Sequence, residues 1–193
     1  MSEIKKKTSR EKLLDVTFHE VYIYGYCGAA TATILKKAVV PRGSMYHHFE
    51  SKKALVLAMI EERLVPKVRE FFDYELKTDM SAVRIVEHAM KKVSRNKMLI
   101  KHGCPLHRLM FEMGGLDKDI AKACEVEFEH LAKNFEKVLA YGQVRGEIRV
   151  GDTRVMSEVF IMTTWGILSR TPDASSGELF LRDIESVVDG LRA

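Results

Sequence analysis

At 193 residues, 46% hydrophobic and 30% charged, with four prolines and twelve glycines, the chain has the composition of a globular protein and not of a collagen-like or low-complexity one. The net charge of +4 is unevenly spread: residues 1–53 hold ten Lys/Arg against five Asp/Glu, the remainder 21 against 22, so the positive footprint of a polyanion partner lies in the N-terminal quarter. No apolar run follows Met1, the charge-free stretch 159–169 is far short of the ~20 residues a membrane span needs, and three cysteines without CxxC spacing predict a reducing cytoplasm, no disulfide framework and no membrane.

In chain order, the first amphipathic pattern runs from Arg10 to Tyr26, with Leu13, Leu14, Thr17, Phe18, Val21 and Tyr22 on one face. A helix of one to two turns follows at 32–38, burying Ile34, Leu35 and Ala38, and Val39-Val40 leave only a tight turn before Pro41. Pro41 suits a first helical turn, and the short helix it opens carries Met45 and Phe49 inward. On its other side Arg42, Gly43, Ser44, Tyr46, His47 and His48 can reach phosphate oxygens or base edges. A short polar helix with an apolar underside, packed on a second short helix, describes a DNA recognition helix. Lys52 and the Lys5-Lys6-Lys7 tail add phosphate-seeking charge, and Thr31 and Thr33 offer hydroxyls from the second helix.

Ser51 is the expected N-cap of a helix from Lys52 to about Tyr74, kinked at Pro66. A helix over 80–97 is broken at 98–103. The next opens on Pro105 and stops at Gly114-Gly115, and the longest runs from Asp117 to Arg145 with an apolar seam of Cys124, Phe128, Leu131, Phe135 and Val138. Asp152 starts a helix with Val155, Val159, Met162 and Gly166 at helical spacing, whose charge-free second half must be buried on two sides. After a loop at 171–177, the last helix spans Glu178–Arg192. About nine helices and no strand predict an all-α fold.

The order Gly25-Tyr26, Thr31, Ile34-Leu35, Pro41 through Phe49, then Ser51-Lys52-Lys53-Ala54-Leu55 resembles the N-terminal domain of TetR/AcrR-type bacterial transcriptional regulators. The chain departs from that pattern twice. Val39 stands where the inter-helix turn usually has Gly, and Ala29-Ala30 stand where the second helix usually has a Ser or Thr cap. The resemblance implies a three-helix helix-turn-helix DNA-binding domain over 1–53 and a larger ligand-binding and dimerisation domain over 54–193. It implies a homodimer, formed through the last two long helices, that binds a palindromic operator in double-stranded DNA as a repressor and is released by a small apolar or electrophilic ligand.

The ligand pocket so implied would be lined by Leu99, His107, Met110, Phe111, Met113, Phe128, Phe135, Tyr141, Met162 and Trp165, flexible and aromatic groups that can mould to apolar molecules. Cys104, at a helix start with Lys101, His102 and His107 near in sequence, is a candidate electrophile sensor, because a helix N-terminus and cations favour the thiolate. The other reading of Cys104 is an inert small hydrophobe. A metal held by Cys104, His102 and His107 lacks a carboxylate to complete the set. No cofactor is implied, and no phosphate loop, GxSxG, HExxH or paired carboxylates point to an enzyme. The alternative function is a helical dimeric ligand-binding protein or co-regulator without its own operator, favoured only by Val39.

Overall fold

The computed structural model describes residues 7–77, 79–170 and 176–193. Among them the chain is helical, with one isolated bridge between Ile148 and Arg192 and no strand. Two compact units form, one from 1–66 with 108–124 and one from 67–107 with 125–193. No helix among the described residues is long and apolar enough to cross a membrane.

The first unit opens with α1 (Ser9–Gly28). Thr8 and Glu11 form a reciprocal capping box at its start, which satisfies two orphan N–H groups. α1 packs on α2 (Thr31–Ala38), α3 (Arg42–His48) and α4 (Lys52–Met59). Leu13, Leu14, Ile34, Ala38, Met45 and Phe49 are buried, as their spacing requires. Ser51 caps α4 by accepting the Ala54 N–H.

α4 continues through a π-helical turn (Ile60–Leu64) into α5 (Val65–Phe72). The expected kink at Pro66 thus takes the form of a widened turn just before it. Proline cannot donate to the carbonyl four residues back, and its ring crowds that carbonyl. The Val65 N–H bonds to the Ile60 carbonyl, five residues back, the spacing of a π-turn, immediately before the proline.

In the second unit α6 (Ala82–Ser94) packs on α11 (Gly177–Asp189), and α11 packs on α10 (Thr153–Leu168). The interruption expected at 98–103 is itself a short helix, α7 (Lys97–His102), because Asn96 caps it by accepting the Met98 and Leu99 N–H groups. α8 (Pro105–Met113) and α9 (Lys118–Val144) each give residues to both units. Gly142 lies inside α9, where a Cβ would meet Ile148 at 2.3 Å, so the site requires bare backbone. Arg69 forks onto the buried carboxylate of Glu127 at 2.8–3.2 Å, which neutralises a charge inside α9. The expected loop at 171–177 lies outside the described residues up to 175.

The two departures in the helix-turn-helix have visible consequences. Val39 sits at φ 54°, ψ 49°, in the left-handed region, and is 82% exposed, so no burial offsets its strain. α2 begins at Ala30 with no side-chain cap. Val39→Gly and Ala30→Ser should therefore each stabilise the protein by about 1 kcal/mol, the first by removing Cβ strain and the second by supplying a cap oxygen. Thermal melts should rise by about 2–4 °C per substitution; a fall in Tm for Val39→Gly would show that the turn carries no strain.

Candidate nucleic-acid interface

The turn residues 39–41 throw the chain directly from α2 into α3. The Pro41 carbonyl accepts the Ser44 and Met45 N–H groups at 3.0 and 3.3 Å and starts the helix. Met45 and Phe49 lie under it, buried, and this fixes which side of so short a helix faces out. Arg42, Gly43, Tyr46, His47 and His48 are exposed on the outer side, with Ser44 half-buried. A Cβ at Gly43 would meet nothing within 4 Å, so the backbone there is open to a close-lying phosphate or base. The Arg42 guanidinium lies over the Tyr46 ring at 5.8 Å, and the His47 and His48 rings meet edge-on at 5.3 Å. Cationic and flat groups thus share one surface, the combination that contacts phosphate and base edges.

Thr31 and Thr33 are half-buried at the start of α2, while Lys36 and Lys37 are exposed at its end. Lys36 is a cation that the motif reading passed over; its place in the last turn of α2, beside the inter-helix turn, was the available signal. Lys37 bonds the buried Glu20 carboxylate of α1 at 2.7 Å, which holds α2 to α1 and raises the Lys37 pKa. Lys5 and Lys6 lie outside the described residues, and Lys7 pairs with Asp15.

Lys52 departs from expectation. Its ammonium donates to the Tyr26 carbonyl at 2.5 Å and lies 4.5 Å from the centre of the Tyr26 ring. Burial lowers its pKa. The group is turned toward α1 and committed to holding the end of α1 against the start of α4. Lys53 likewise binds Asp117 and Asp119, at 2.8 and 2.6 Å.

Two carboxyl-side residues that no motif flagged complete this arrangement. At Gly25 (φ 76°) α1 kinks, and a Cβ there would stand 2.6 Å from Glu112. The Glu112 carboxylate accepts the N–H of Tyr26 at 2.7 Å and of Cys27 at 2.9 Å. Arg108, one turn earlier on α8, donates to the Ile23 carbonyl at 3.3 Å.

The expected ligand-lining residues do not form one cluster. Trp165 is fully buried, stacked on His107 at 5.2 Å and tilted against Phe128 at 5.6 Å, with Phe72 edge-on at 6.4 Å. Phe135 stacks on Tyr74 at 4.4 Å and meets Phe160 at 4.8 Å. Among the described residues the Trp165 indole N–H and the Tyr74 hydroxyl are buried with no hydrogen-bond partner. Burial lowers the His107 pKa, which keeps the ring neutral at neutral pH, and raises that of Tyr74. Leu99 and Met113 are core, and Met110 is half-buried. Phe111 is 86% exposed and Met162 is exposed, so neither lines an enclosed space in the single chain. Tyr141 is half-buried beneath the Arg145 guanidinium.

Cys104 is completely buried. Cys27 is exposed, but its bond to Glu112 pushes its thiol pKa up; burial pushes that of Cys124 up to about 12. No group of three or more His, Cys, Asp or Glu able to hold a metal occurs among the described residues.

Comparison with known proteins places these features. Residues 13–59 match the family described as "Bacterial regulatory proteins, tetR family". A protein of Lactococcus lactis subsp. lactis, described as an uncharacterized HTH-type transcriptional regulator in the lacX 3' region, is 29% identical over 143 residues, 69% of each chain. The HTH-type transcriptional repressor DhaR of Mycobacterium sp. (strain GP1) is 27% identical over 141 residues, 73% of this chain and 70% of its own. In fold, the regulatory protein TetR from Rhodobacter sphaeroides superposes with a TM-score of 0.83 over 96% of this chain and all of its own, at 21% identity.

Side-chain placement separates contact from support. Tyr46→Ala should weaken binding to a selected operator by about 1–3 kcal/mol, and Arg42→Ala should lower the slope of log K against log salt by about one. Lys52→Met should weaken binding with the salt slope unchanged, because its charge is spent on Tyr26. Fluorescence anisotropy titrations at several salt concentrations read both quantities; a slope reduced by one for Lys52→Met would place that ammonium on phosphate instead.

Proposed function

We propose that this chain is a TetR-family transcriptional regulator, a repressor that binds a palindromic operator as a homodimer and is released by a small molecule. The observation that carries this is the outer surface of α3, which combines Arg42, Tyr46, His47 and His48 over a buried Met45–Phe49 underside. Val39 takes up the left-handed geometry of the turn, which supports an operating head over the alternative of a co-regulator without its own operator. In this reading residues 1–53 are the DNA-binding domain and 54–193 the ligand-binding and dimerisation domain, at work in the cytoplasm. Selection from a random duplex pool should return a sequence with two-fold symmetry; failure to enrich any sequence at low salt would end the proposal.

The dimer is supported by α10. Its inner side buries Phe160, Ile161, Trp165 and Leu168, while Val155, Val159, Met162 and Gly166 are exposed along the opposite side. An apolar stripe at i, i+4, i+7 and i+11 is the pattern of a helix that meets a second subunit. Val159→Glu should yield monomers by sedimentation that lose operator affinity, since two half-site contacts no longer add. A monomeric unmutated protein at micromolar concentration would remove the dimer from the account.

The ligand reading rests on Trp165 and Tyr74. Two buried donors without acceptors are costly to leave unmade. A largely apolar molecule carrying an acceptor oxygen would satisfy the Trp165 indole N–H beside His107, whose ring stacks on it. An electrophile acting through Cys104 must first expose a thiol that the structure encloses. A sensor role predicts that Cys104 labels faster than Cys27 and Cys124 in a peptide-mapped time course. Labelling of Cys104 only at the global unfolding rate makes it a core residue and leaves non-covalent release.

A further inference from the structure

We infer that the α8–α9 corner, through Glu112 above all, belongs to the DNA-binding machinery as a positioning element that sets the helix-turn-helix. This rests on the DNA-binding reading above.

The argument begins at Gly25. Its φ of 76° breaks the hydrogen-bond ladder of α1 three residues before the helix ends. The N–H groups just beyond such a break are in the position of a helix start, with no carbonyl behind them. An ordinary helix start draws its cap from an adjacent Ser, Thr, Asp or Asn. Here the cap is delivered by Glu112, whose two carboxylate oxygens take the Tyr26 and Cys27 N–H groups at 2.7 and 2.9 Å. The approach needs glycine, because a Cβ at position 25 would stand 2.6 Å from one of those oxygens.

The same corner holds the far end of the reading segment. α2 and α3 lie between Tyr26 and Lys52. Lys52 closes that span by donating to the Tyr26 carbonyl, and Lys53 is held by Asp117 and Asp119. Asp117 is in turn fixed by accepting the Asp119 and Ile120 N–H groups at the start of α9. Both anchor points of the helix-turn-helix are therefore bonded to residues 112–119, far outside the matched motif. Tyr26 is gripped at its N–H by Glu112 and at its C=O by Lys52, so releasing Glu112 frees one end of the segment that carries α3.

Glu112→Ala and Glu112→Gln test this in the full-length protein. Loss of the charged acceptor should lower affinity for the selected operator at least about tenfold, the size of one lost charged hydrogen bond. Binding to a scrambled duplex should change less than about twofold, because phosphate contacts survive in a displaced head. Glu112→Gln should recover part of the loss, since its amide oxygen still accepts one N–H. An operator affinity within twofold of the unmutated protein for Glu112→Ala would overturn the inference. Equal loss on both duplexes, or loss of far-UV circular dichroism, would reduce Glu112 to general support and overturn it too. A second arm needs no DNA: Glu112→Gln should speed labelling of Cys27, whose thiol the carboxylate now restrains, and an unchanged rate would show that the contact is not made. If the unmutated protein selects no operator, the function falls, and the Cys27 arm alone decides whether the clamp exists.

Discussion

Tyr26 is held through both of its flanking peptide units, its N–H by the Glu112 carboxylate and its C=O by the Lys52 ammonium, and the inferred placement of the helix-turn-helix depends on that grip. Helix α3, the proposed recognition helix, has seven residues, too few to hold a fixed direction by its own hydrogen bonds. Its placement comes from packing of Met45 and Phe49 below and from where the chain enters and leaves. Entry follows the kinked end of α1 and exit leads to the start of α4, and those two ends meet at Tyr26 and Lys52. Residues 108–124 belong to the same compact unit as the N-terminal helices.

Much of this was legible in the sequence where local chemistry decides. The underside of α3, the seam of α1, the Ser51 and Asp152 caps and the stop at Gly114 follow from spacing and cap preference alone. What was not legible depends on partners remote in the chain. Lys52 reads as a phosphate cation because nothing in the motif announces the Tyr26 carbonyl, and Glu112 reads as an ordinary exposed acid of α8. Gly25 could be seen as a family position, but the reason for glycine there, the close approach of Glu112, appears only in three dimensions. The Pro66 kink was legible as a disturbance; that it takes the form of a π-turn depends on the Ile60 carbonyl finding the Val65 N–H.

The body shows the same division. Burial of Phe128 and Phe135 was legible from the seam of α9, whereas Trp165 was read as pocket lining and is packed between His107, Phe128 and Phe72. Phe111 and Met162 are exposed in the single chain, because composition cannot say which way an apolar side chain points on a helix with several apolar positions. For α10 the outward stripe of Val155, Val159 and Met162 is the one the periodicity picked out, yet in the single chain it faces away from the core. An apolar stripe reports that something covers it, not whether the cover is the same chain.

The grip on Tyr26 has a direct measure in amide hydrogen exchange of the free protein. If Glu112 caps the broken end of α1, the Tyr26 and Cys27 amides are protected to nearly the same free energy as the amides of the α1 interior, despite lying beside a kink and close to the surface. Exchange of these two amides at the rate of an unstructured loop, with the α1 interior still protected, would contradict the account at its base.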